Sequence, residues 1–296
     1  MKKIAVVTDS SVGFSIEEAK KLGVNIINIP FIIDGEEYVE NRNLTREEFF
    51  FKLMNNCSIS TSQPPQNDIT NCWDELLKTH DEVVYIPLSS GLSATCKMSQ
   101  NSAEKYNGKV EVIDNKRVSV TLKATIYIAL KLAQEGKSAK EIKDYLETDT
   151  YNSSIYITLT TLKYLKKGGR ITATAAAIGS LLKIKPVLQI QGDKLDAYAK
   201  VMTMQQAKSK MISAIKKDLD TRFKIFNTNG EMALAVAYSG LDDSLAKQYA
   251  EDVKKEFPNL KFVTIDPLPL SITCHIGAGA LALAVFKDYK NCINNL

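Results

Sequence analysis

Short apolar runs alternate with amphipathic segments through the first half of the chain. The runs "KIAVVT", "EVVYIPL" and "KVEVID" are typical of buried strands, and helical spacing of apolar residues occurs between them. The Asp34-Gly35 pair between two apolar runs predicts a hairpin. Three predicted helices begin with a capping hydroxyl and a glutamate three positions later, at Ser15 and Glu18, Thr45 and Glu48, and Ser138 and Glu141. This order of elements predicts a mostly parallel, doubly wound sheet.

The second half has a different pattern. "SSIYITLTTL" predicts another strand, "KIKPVLQIQGDKLDAYAK" predicts antiparallel strands around Gly192 and Asp193, and a long helix is expected from about Thr203 to Asp218. The apolar runs "MALAVAYSG" and "LKFVTIDPL" flank a further helix. We therefore predict a two-domain α/β protein with a ligand site between the domains. Residues 1–155 form an N-terminal, mostly parallel βα domain, and residues 156–296 form a C-terminal, mixed α/β domain.

Composition narrows the class of protein. Of 296 residues, 45% are hydrophobic and 24% are charged, which is typical of a soluble globular chain. The formal net charge is +4 and no basic run is interleaved with aromatic residues, so we expect no nucleic-acid binding. Five cysteines without a C-x-x-C pair, and a start without the pattern of a signal peptide, favour a reducing cytoplasm. The motifs indicate neither a metal site nor a cofactor.

A dense run of hydroxyl residues follows one predicted strand. "VVYIPLSSGLSATC" predicts a strand that ends at Leu88, then a turn into a helix that begins near Leu92. Four hydroxyl residues and a glycine surround that turn, namely Ser89, Ser90, Gly91, Ser93 and Thr95. A strand that leads into a helix presents free backbone N–H groups, which favour anions. Capping of the helix by Ser89 or Ser90 explains one hydroxyl but not four, so the run predicts an anion-binding loop.

Three further segments are candidates for a site. In "SISTSQPP", Thr61 and Ser62 stand in a loop stiffened by proline, although an ordinary polar turn is an equal alternative. In "LKKGGRITATAAAIGS", Arg170 follows two glycines, and the spacing matches neither common nucleotide-binding loop. In "TCHIGAGAL", His275 is predicted to lie in a glycine-rich loop with Gly277, and a loop histidine is less often core filler. His80 ends a helix and receives no role.

Taken together and in order, the segments "VTDSS", "TSQPP", "PLSSGLSAT", "YLKKGGRI", "IKPVLQI" and "CHIGAGAL" resemble the DegV family of bacterial fatty acid-binding proteins. The resemblance covers nearly the whole chain. It implies a long-chain fatty acid buried between two α/β domains, with its carboxylate held by hydroxyl groups. It also implies that the acid is presented to a separate fatty acid kinase, and that peripheral membrane contact accompanies lipid exchange. It implies Thr61, Ser62 and Ser93 as head-group residues, with Arg170 and His275 beside the head group or at the mouth of the site. We also expect Gly91, Leu92 and Gly277 to contact the ligand.

The sequence departs from the usual pattern of that family at three positions. Met202 stands where the family often has arginine, Tyr238 where it often has histidine, and Ala278 where a proline is usual. The changes at Met202 and Ala278 concern coupling to a kinase more than acyl binding.

Burial of the tail is expected to supply most of the affinity. Burying ~15 methylenes at ~0.8 kcal/mol each contributes ~12 kcal/mol gross, whereas a hydrogen bond to a charged acceptor contributes about 1.5–3 kcal/mol. The tunnel should therefore set affinity and the hydroxyls should set orientation. The candidate tunnel residues are Phe31, Ile59, Leu92, Leu159, Ile178, Leu182 and Ile272.

Three other functions are open to the same residues. A serine hydrolase could use Ser93 as nucleophile and His275 as base, but "GLSAT" is not the G-x-S-x-G elbow and no orienting acid is evident. The sequence contains no phosphate-binding loop, which argues against a nucleotide-binding enzyme. It also contains no motif that specifically indicates an interaction module. The sequence favours a non-enzymatic carrier of one long-chain fatty acid.

Overall fold

A computed structural model describes residues 2–178 and 184–293 of the chain, except for the side chain of Ile178. The strands are β1 (Ile4–Asp9), β2 (Val24–Ile27), β3 (Phe31–Ile33), β4 (Glu36–Tyr38), β5 (Ile59–Thr61), β6 (Glu82–Ile86), β7 (Val110–Val112), β8 (Ser153–Thr158), β9 (Lys185–Ile190), β10 (Asp196–Val201), β11 (Met232–Tyr238), β12 (Lys261–Pro267) and β13 (Leu281–Lys287). The helices are α1 (Ile16–Leu22), α2 (Arg46–Met54), α3 (Gln66–Leu76), α4 (Thr95–Ala103), α5 (Ser119–Gln134), α6 (Ala139–Thr148), α7 (Lys163–Gly168), α8 (Ala173–Ile178), α9 (Met204–Asp220), α10 (Lys224–Thr228), α11 (Ser244–Glu256) and α12 (Leu270–Ile276).

The first sheet is parallel throughout, as the alternation of strands and helices predicts. Its order is β2-β1-β6-β7, and Val6 of β1 pairs with Val24 on one side and Val84 on the other. Apolar side chains cover both faces, with α5 and α6 packed on one and α3 and α4 on the other. Because parallel strands are connected by crossover helices, such a sheet is buried on both faces.

The second sheet is mixed, with order β10-β9-β8-β13-β11-β12. All its pairs are antiparallel except β11 with β12. The two sheets confirm the predicted fold class, and they use separate stretches of chain, 4–112 and 153–287. This separation is consistent with two domains, but the proposed boundary between residues 155 and 156 falls inside β8, so the division into 1–155 and 156–296 remains a proposal. None of the helices in the described residues is long and apolar enough to cross a bilayer.

A small third sheet connects the two parts of the molecule. Its order is β4-β3-β5, and the predicted Asp34-Gly35 hairpin joins β3 to β4. Thr61 at the end of β5 pairs with Phe31 of β3. Apolar residues of this sheet pack with Phe49 of α2 and with Leu270 of α12 in one cluster. The packing therefore brings the end of β5 next to a helix from the far end of the chain.

Residues of the N-terminal half also hold the start of α12. Arg46 donates to the carbonyl oxygen of Leu268 at 3.1 Å and to that of Gly240 at 3.3 Å. Glu40 accepts from the backbone N–H of Leu270, and burial raises the pKa of its carboxyl to about 7. These contacts fix the position at which α12 enters the interior.

The three predicted capping boxes, at α1, α2 and α6, are confirmed. The prediction for the hydroxyl run is wrong in detail. Strand β6 ends at Ile86 rather than Leu88, and α4 begins at Thr95 without a side-chain cap. Neither Ser89 nor Ser90 caps the helix, so these hydroxyls stand in a longer loop whose contacts are described below.

A buried ion pair fixes the segment before α5. Arg117 donates to a carboxylate oxygen of Asp149 at 2.7 Å and to its carbonyl oxygen at 2.6 Å, and the two side chains are 1% and 3% exposed. The carbonyl oxygen of Arg117 accepts from Ser89 N at 3.2 Å. Because a buried charge needs a partner, this pair constrains both the start of α5 and the hydroxyl loop.

We expect Asp149→Ala to lower the free energy of unfolding by about 3–5 kcal/mol, because Arg117 would be left buried without its carboxylate. Urea unfolding followed by circular dichroism measures the loss. Asp144→Ala is the control, since Asp144 pairs with Lys140 at an exposed position and should change stability by less than about 1 kcal/mol. Equal losses in the two variants would contradict the structural role of Arg117.

Candidate ligand-binding site

A cavity lies where the two larger sheets meet. Segments of the N-terminal half contribute residues from 29 to 120, and segments of the C-terminal half contribute residues from 155 to 282. The cavity volume, counted as the positions that the centre of a water molecule can occupy, is about 200 Å³. A single water needs about 10–15 Å³ when counted in the same way. The cavity therefore has room for a small organic ligand.

The wall of the cavity is mostly apolar. Arg170 is its one ionised side chain, and no carboxylate lines it among residues 2–178 and 184–293. An apolar cavity with few polar groups is typical of a site for a hydrophobic ligand. The apolar wall residues include Ile29, Leu88, Leu92, Val118, Val120, Ile155, Ile157, Leu165, Ile190, Leu195, Leu268, Ile272 and Ile276.

The predicted tunnel residues are placed unequally. Leu92 and Ile272 line the cavity, whereas Phe31 and Leu159 are fully buried in packed cores. Ile59 lines a separate basin described below. The side chain of Ile178 and all of Leu182 lie outside the described residues.

The hydroxyl run divides into residues that hold the loop and residues that face the cavity. Ser89 donates to the carbonyl oxygen of Gly192 at 2.6 Å, and Ser90 donates to Asp114 at 2.5 Å. Ser93 and Thr95 line the cavity, with their hydroxyl oxygens 3.0 Å apart. Two of the four hydroxyls are therefore structural, and two are available to a ligand.

The aspartate of the "VTDSS" segment anchors the same loop. Asp9 is buried, and its carboxylate accepts from Leu88 N at 2.8 Å and from Ser11 N at 3.0 Å. Burial raises the pKa of this carboxyl, against the lowering effect of these hydrogen bonds. The role of Asp9 is to fix the backbone that leads into the hydroxyl loop.

His275 lies on a helix, which contradicts the prediction of a glycine-rich loop. It occupies the last turn of α12, and the loop begins only at Gly277, with φ +78°. Its Nε2 lies 2.9 Å from Oγ1 of Thr61 at the end of β5. Thr61, Ser62, Ser93, Arg170 and His275 all line the cavity, and their role as ligand contacts stays a prediction.

Two glycines allow α7 to pack closely on α12. A Cβ at Gly168 would lie 2.6 Å from Nδ1 of His275, and one at Gly277 would lie 2.5 Å from the ring of Tyr164. Gly277 thus faces α7 and is not found in the described part of the cavity wall. The structure shows a packing role for Gly277, and its predicted ligand contact stays a prediction.

Gly91 also has a packing role rather than a place in the described cavity wall. A Cβ there would lie 2.6 Å from the Cα of Asp193. The glycine therefore lets the hydroxyl loop approach the turn between β9 and β10. It lines a separate, shallow hollow on that side.

Burial, together with the positive charge of Arg170, lowers the pKa of His275 to about 4. The imidazole is therefore neutral at pH 7. Arg170 is half-buried, and it donates from Nε to the carbonyl oxygen of Leu92 at 3.3 Å and from Nη1 to that of Gly168. The site thus presents one cation and a set of neutral hydrogen-bonding groups.

A second, outer basin adjoins the cavity on the side of Thr61, Arg170 and His275. Thr61, Arg170 and His275 line both spaces, so they form the partition between them. Lys163 and Lys167 stand on the outer side, where their ammonium groups donate to Asn56 Oδ1 and Ser58 Oγ, both at 3.3 Å. No carboxylate lines this basin in the described part of the chain. Its electrostatic character is therefore cationic.

Four polar residues of the cavity wall were not predicted to be ligand contacts: Gln63, Thr95, Ser119 and Ser271. Thr95 belongs to the hydroxyl run and Gln63 follows Ser62, so their neighbours give a signal. Ser271 lies four residues before His275, which places it on the same helix face. The helical spacing of Ser271 and His275 cannot be inferred from the sequence when the segment around His275 is interpreted as a loop. Ser119 carries no motif.

The three departures from the family pattern lie away from the described cavity wall. Met202 is 59% exposed between β10 and α9. Tyr238 ends β11, and the carbonyl oxygen of Ala278 accepts from Oγ1 of Thr160 at 2.7 Å. None of these positions alters the contacts described for Thr61 and His275.

All five cysteines are free thiols, and the described residues contain no cluster of three or more metal-ligating side chains.

The fold and the site define an α/β protein that encloses an apolar cavity behind a polar head. Residues 3–288 match the family model described as "Uncharacterised protein, DegV family". The chain belongs to the DegV family.

Known relatives align over almost their full length. A DegV domain-containing protein of Clostridium perfringens is 31% identical, over 98% of this chain and 99% of the relative. The structure of DegV from Bacillus subtilis, described as a fatty acid binding protein, is 26% identical with a TM-score of 0.82, covering 97% of this chain and 100% of that one. A DegV family protein from Thermus thermophilus, whose structure concerns fatty acid binding, has the same fold at 24% identity, with a TM-score of 0.86 over 96% and 99% of the two chains.

We expect an NMR titration of His275 to give a midpoint near 4, because burial and Arg170 disfavour the imidazolium. The chain has two histidines, so a His80→Gln variant reports on His275 alone. Arg170→Met should raise the midpoint, whereas Arg42→Met, at an exposed position, should not. Because the unfolded state binds this proton more readily, stability should fall as the pH drops from about 6.5 to about 4. A midpoint near 6.5 would contradict the burial of His275.

Proposed function

We propose that this protein binds one long-chain fatty acid, with the carboxylate at Thr61, Ser62 and Ser93 beside His275 and the tail in the apolar cavity. The observation that carries the proposal is the polarity of that cavity. Its wall is apolar over most of its surface, and its polar residues include the Thr61–His275 pair and Ser93, whose neighbour Leu92 accepts from Arg170. A ligand that fits has one polar end and a hydrocarbon body. The fatty acid binding of the relative from Bacillus subtilis supports this assignment.

The hydroxyl groups suit an anion because of the way their protons are shared. A hydroxyl has one proton to donate and can accept two hydrogen bonds. With Nε2 of the neutral His275 protonated, the imidazole donates to Thr61 and leaves the threonine proton free for a carboxylate. Ser93 likewise accepts from Thr95 N at 3.3 Å and lies 3.0 Å from the Thr95 hydroxyl. In this arrangement the hydroxyls of Thr61 and Ser93 are oriented before the ligand arrives.

The partition between the two spaces determines the direction of the ligand. Burying a carboxylate without replacing its water by hydrogen-bond partners is unfavourable by several kcal/mol, as for any buried ion. The cavity's one cation, Arg170, and the Thr61–His275 pair lie at the partition, whereas most of the remaining wall is apolar. The carboxylate should therefore face the outer basin and the tail should extend inward.

The contacts favour a carrier over a hydrolase. His275 pairs with Thr61 rather than with Ser93, and no carboxylate in the described cavity wall could orient the imidazole. An imidazole with a pKa near 4 is also a weak general base at pH 7. A Ser-His-Asp mechanism needs a histidine paired with the serine, a carboxylate that orients the histidine, and an imidazole basic enough to take the proton. The described part of the cavity lacks all three. We therefore assign Ser93 a binding role and no catalytic role.

The outer basin supports presentation of the acid to a separate fatty acid kinase. Its three cationic side chains, Lys163, Lys167 and Arg170, lie on the side of the partition that the carboxylate would face. Phosphoryl transfer to a carboxylate builds negative charge, which nearby cations stabilise. A kinase that docks over this basin could reach the carboxylate while the tail stays buried. Peripheral membrane contact during lipid exchange remains a prediction of the family resemblance.

Thr61→Val and Ser93→Ala should each weaken the binding of palmitate by about 10- to 100-fold, because each removes a hydrogen bond to a charged acceptor. Isothermal titration of delipidated protein measures the dissociation constants. The matched control is Ser90→Ala in the same loop, since the Ser90 hydroxyl bonds to Asp114 outside the cavity. If all three variants bind palmitate equally, the head group does not lie at the partition.

Lys167→Gln should lower the rate of acyl phosphate formation by up to about 5-fold, because it removes at most about 1 kcal/mol of partly screened attraction. The assay uses palmitate-loaded protein, the cognate kinase and ATP, with the product trapped as hydroxamate. The affinity for palmitate should not change. Lys78→Gln, at an exposed position on another face, is the control. Formation of acyl phosphate no faster than with kinase alone would refute presentation while leaving fatty acid binding intact.

A further inference from the structure

The segment that leads into α12 has few backbone groups that can hold it in place. It reads Pro267-Leu268-Pro269-Leu270, and proline has no backbone N–H. Leu268 N donates to the carbonyl oxygen of Tyr238 at 2.7 Å. The remaining N–H, that of Leu270, lies in the first turn of α12, where no helical carbonyl is available to accept from it. The side chains that contact this segment therefore determine how firmly the start of α12 is held.

Two side chains of the N-terminal half supply those contacts. Glu40 accepts from Leu270 N, and Arg46 donates to the carbonyl oxygens of Leu268 and Gly240 at 3.1 and 3.3 Å. The positive charge of Arg46 also acts on the Glu40 carboxyl. The start of α12 is thus held by a carboxyl and a guanidinium group that come from a distant part of the chain.

Movement of α12 would open the candidate ligand site. The helix supplies Ile272, His275 and Ile276 to the cavity wall, and His275 also belongs to the partition. Glu40 contacts the first residue of this seven-residue helix, and His275 lies in its last turn. Loosening of the first turn therefore loosens one side of the cavity.

A hollow of about 620 Å³, counted as the positions that the centre of a water molecule can occupy, gives solvent access to Glu40. Among the described residues, it shares none with the ligand cavity. Lys123 in its wall is 2% exposed and pairs with Asp266 at 2.7 Å and with Glu18 at 3.5 Å, so these three charges are matched. The charged residues that line the hollow with Glu40 are Glu18, Lys20, Arg42, Arg46, Lys123 and Asp266.

Burial opposes the ionisation of Glu40. It raises the pKa of the carboxyl to about 7, although the charge of Arg46 and the hydrogen bond from Leu270 N both lower it. Glu47 and Tyr238 also lie near Arg46. Glu40 therefore becomes charged near neutral pH while it is still buried. An opened state, in which water reaches the carboxylate, is favoured by that charge because hydration returns the pKa toward its ordinary value.

We propose that Glu40 and Arg46 form a proton-sensitive latch on α12, in which ionisation of Glu40 promotes opening of the helix and release of the ligand. The latch itself needs no ligand, whereas its effect on release rests on the proposed function. Neutral Glu40 holds α12 in place at slightly acidic pH. Above neutral pH, the charged carboxylate is more stable in water than in its buried position, so α12 opens more often.

The size of the effect follows from proton linkage. With a pKa of about 7 in the closed state and 4.5 in a fully hydrated open state, the equilibrium constant for opening increases by about 10-fold from pH 6 to pH 8. His275 acts in the opposite sense, because its pKa of about 4 rises when burial is lost. A ratio between the wild type and a variant that retains His275 removes this second contribution.

Hydrogen exchange followed by mass spectrometry tests the latch on delipidated protein. Glu40→Gln retains the size of the side chain and an oxygen that can accept from Leu270 N, but it carries no charge. We expect the protection of the α12 amides in the wild type, relative to Glu40→Gln, to fall by up to about 10-fold from pH 6 to pH 8. Glu37→Gln, at an exposed position in the same segment, is the matched control and should behave as the wild type.

The rate at which palmitate passes from the protein to excess albumin tests the link to the ligand site. The release rate of the wild type, relative to that of Glu40→Gln, should rise by up to about 10-fold over the same pH range. A third measurement needs no variant. The ¹³C NMR signals of the glutamate carboxyls in the wild type should include one with a midpoint near 7.

The outcomes separate the latch from the proposed function. A protection ratio that does not change between pH 6 and pH 8, or the absence of a glutamate with a midpoint near 7, overturns the latch and leaves fatty acid binding intact. A protection ratio that falls while the release ratio stays constant overturns the role of the latch in ligand release. Failure of palmitate to bind at either pH refutes the proposed function, and hydrogen exchange then still decides whether the latch exists.

Discussion

The candidate site depends on one contact between distant parts of the chain. Thr61 and His275 are 214 residues apart in sequence, and their side chains meet at 2.9 Å. Strand β5 carries the first and the last turn of α12 carries the second. Because this pair separates the apolar cavity from the cationic outer basin, it defines where a polar head group can be placed.

The surrounding structure keeps that contact neutral and fixed. Burial and Arg170 favour the neutral imidazole, so His275 can orient the threonine hydroxyl without adding a charge of its own. Gly168 gives the ring the space it needs, since any larger residue would meet Nδ1. Arg46 ties the segment before α12 to the end of β11 through the backbone carbonyls of Leu268 and Gly240. The geometry of one polar pair thus depends on packing contributed by both halves of the molecule.

The hydroxyl loop shows how similar residues take different roles within a few positions. Ser89 and Ser90 hold the loop to the β9–β10 turn and to Asp114, while Ser93 and Thr95 line the cavity. Asp9 adds a buried carboxylate that accepts from the backbone of Leu88. Sequence indicates that hydroxyls gather here, but which of them face the ligand depends on the neighbours that the fold supplies.

The sequence by itself determined most of the elements, and its motifs indicated residues that the structure places in the cavity wall, such as Thr61 and Ser93. Periodicity and capping act over a few residues, so the helices with Ser15, Thr45 and Ser138 as caps were predictable. The tertiary structure alone decided that His275 lies on a helix, that Gly91 and Gly277 serve packing, and that Ser271 joins the cavity wall. The physical reason is the distance along the chain over which each interaction acts. A cavity wall consists of side chains from distant segments, and a local sequence pattern does not determine which of those segments come into contact.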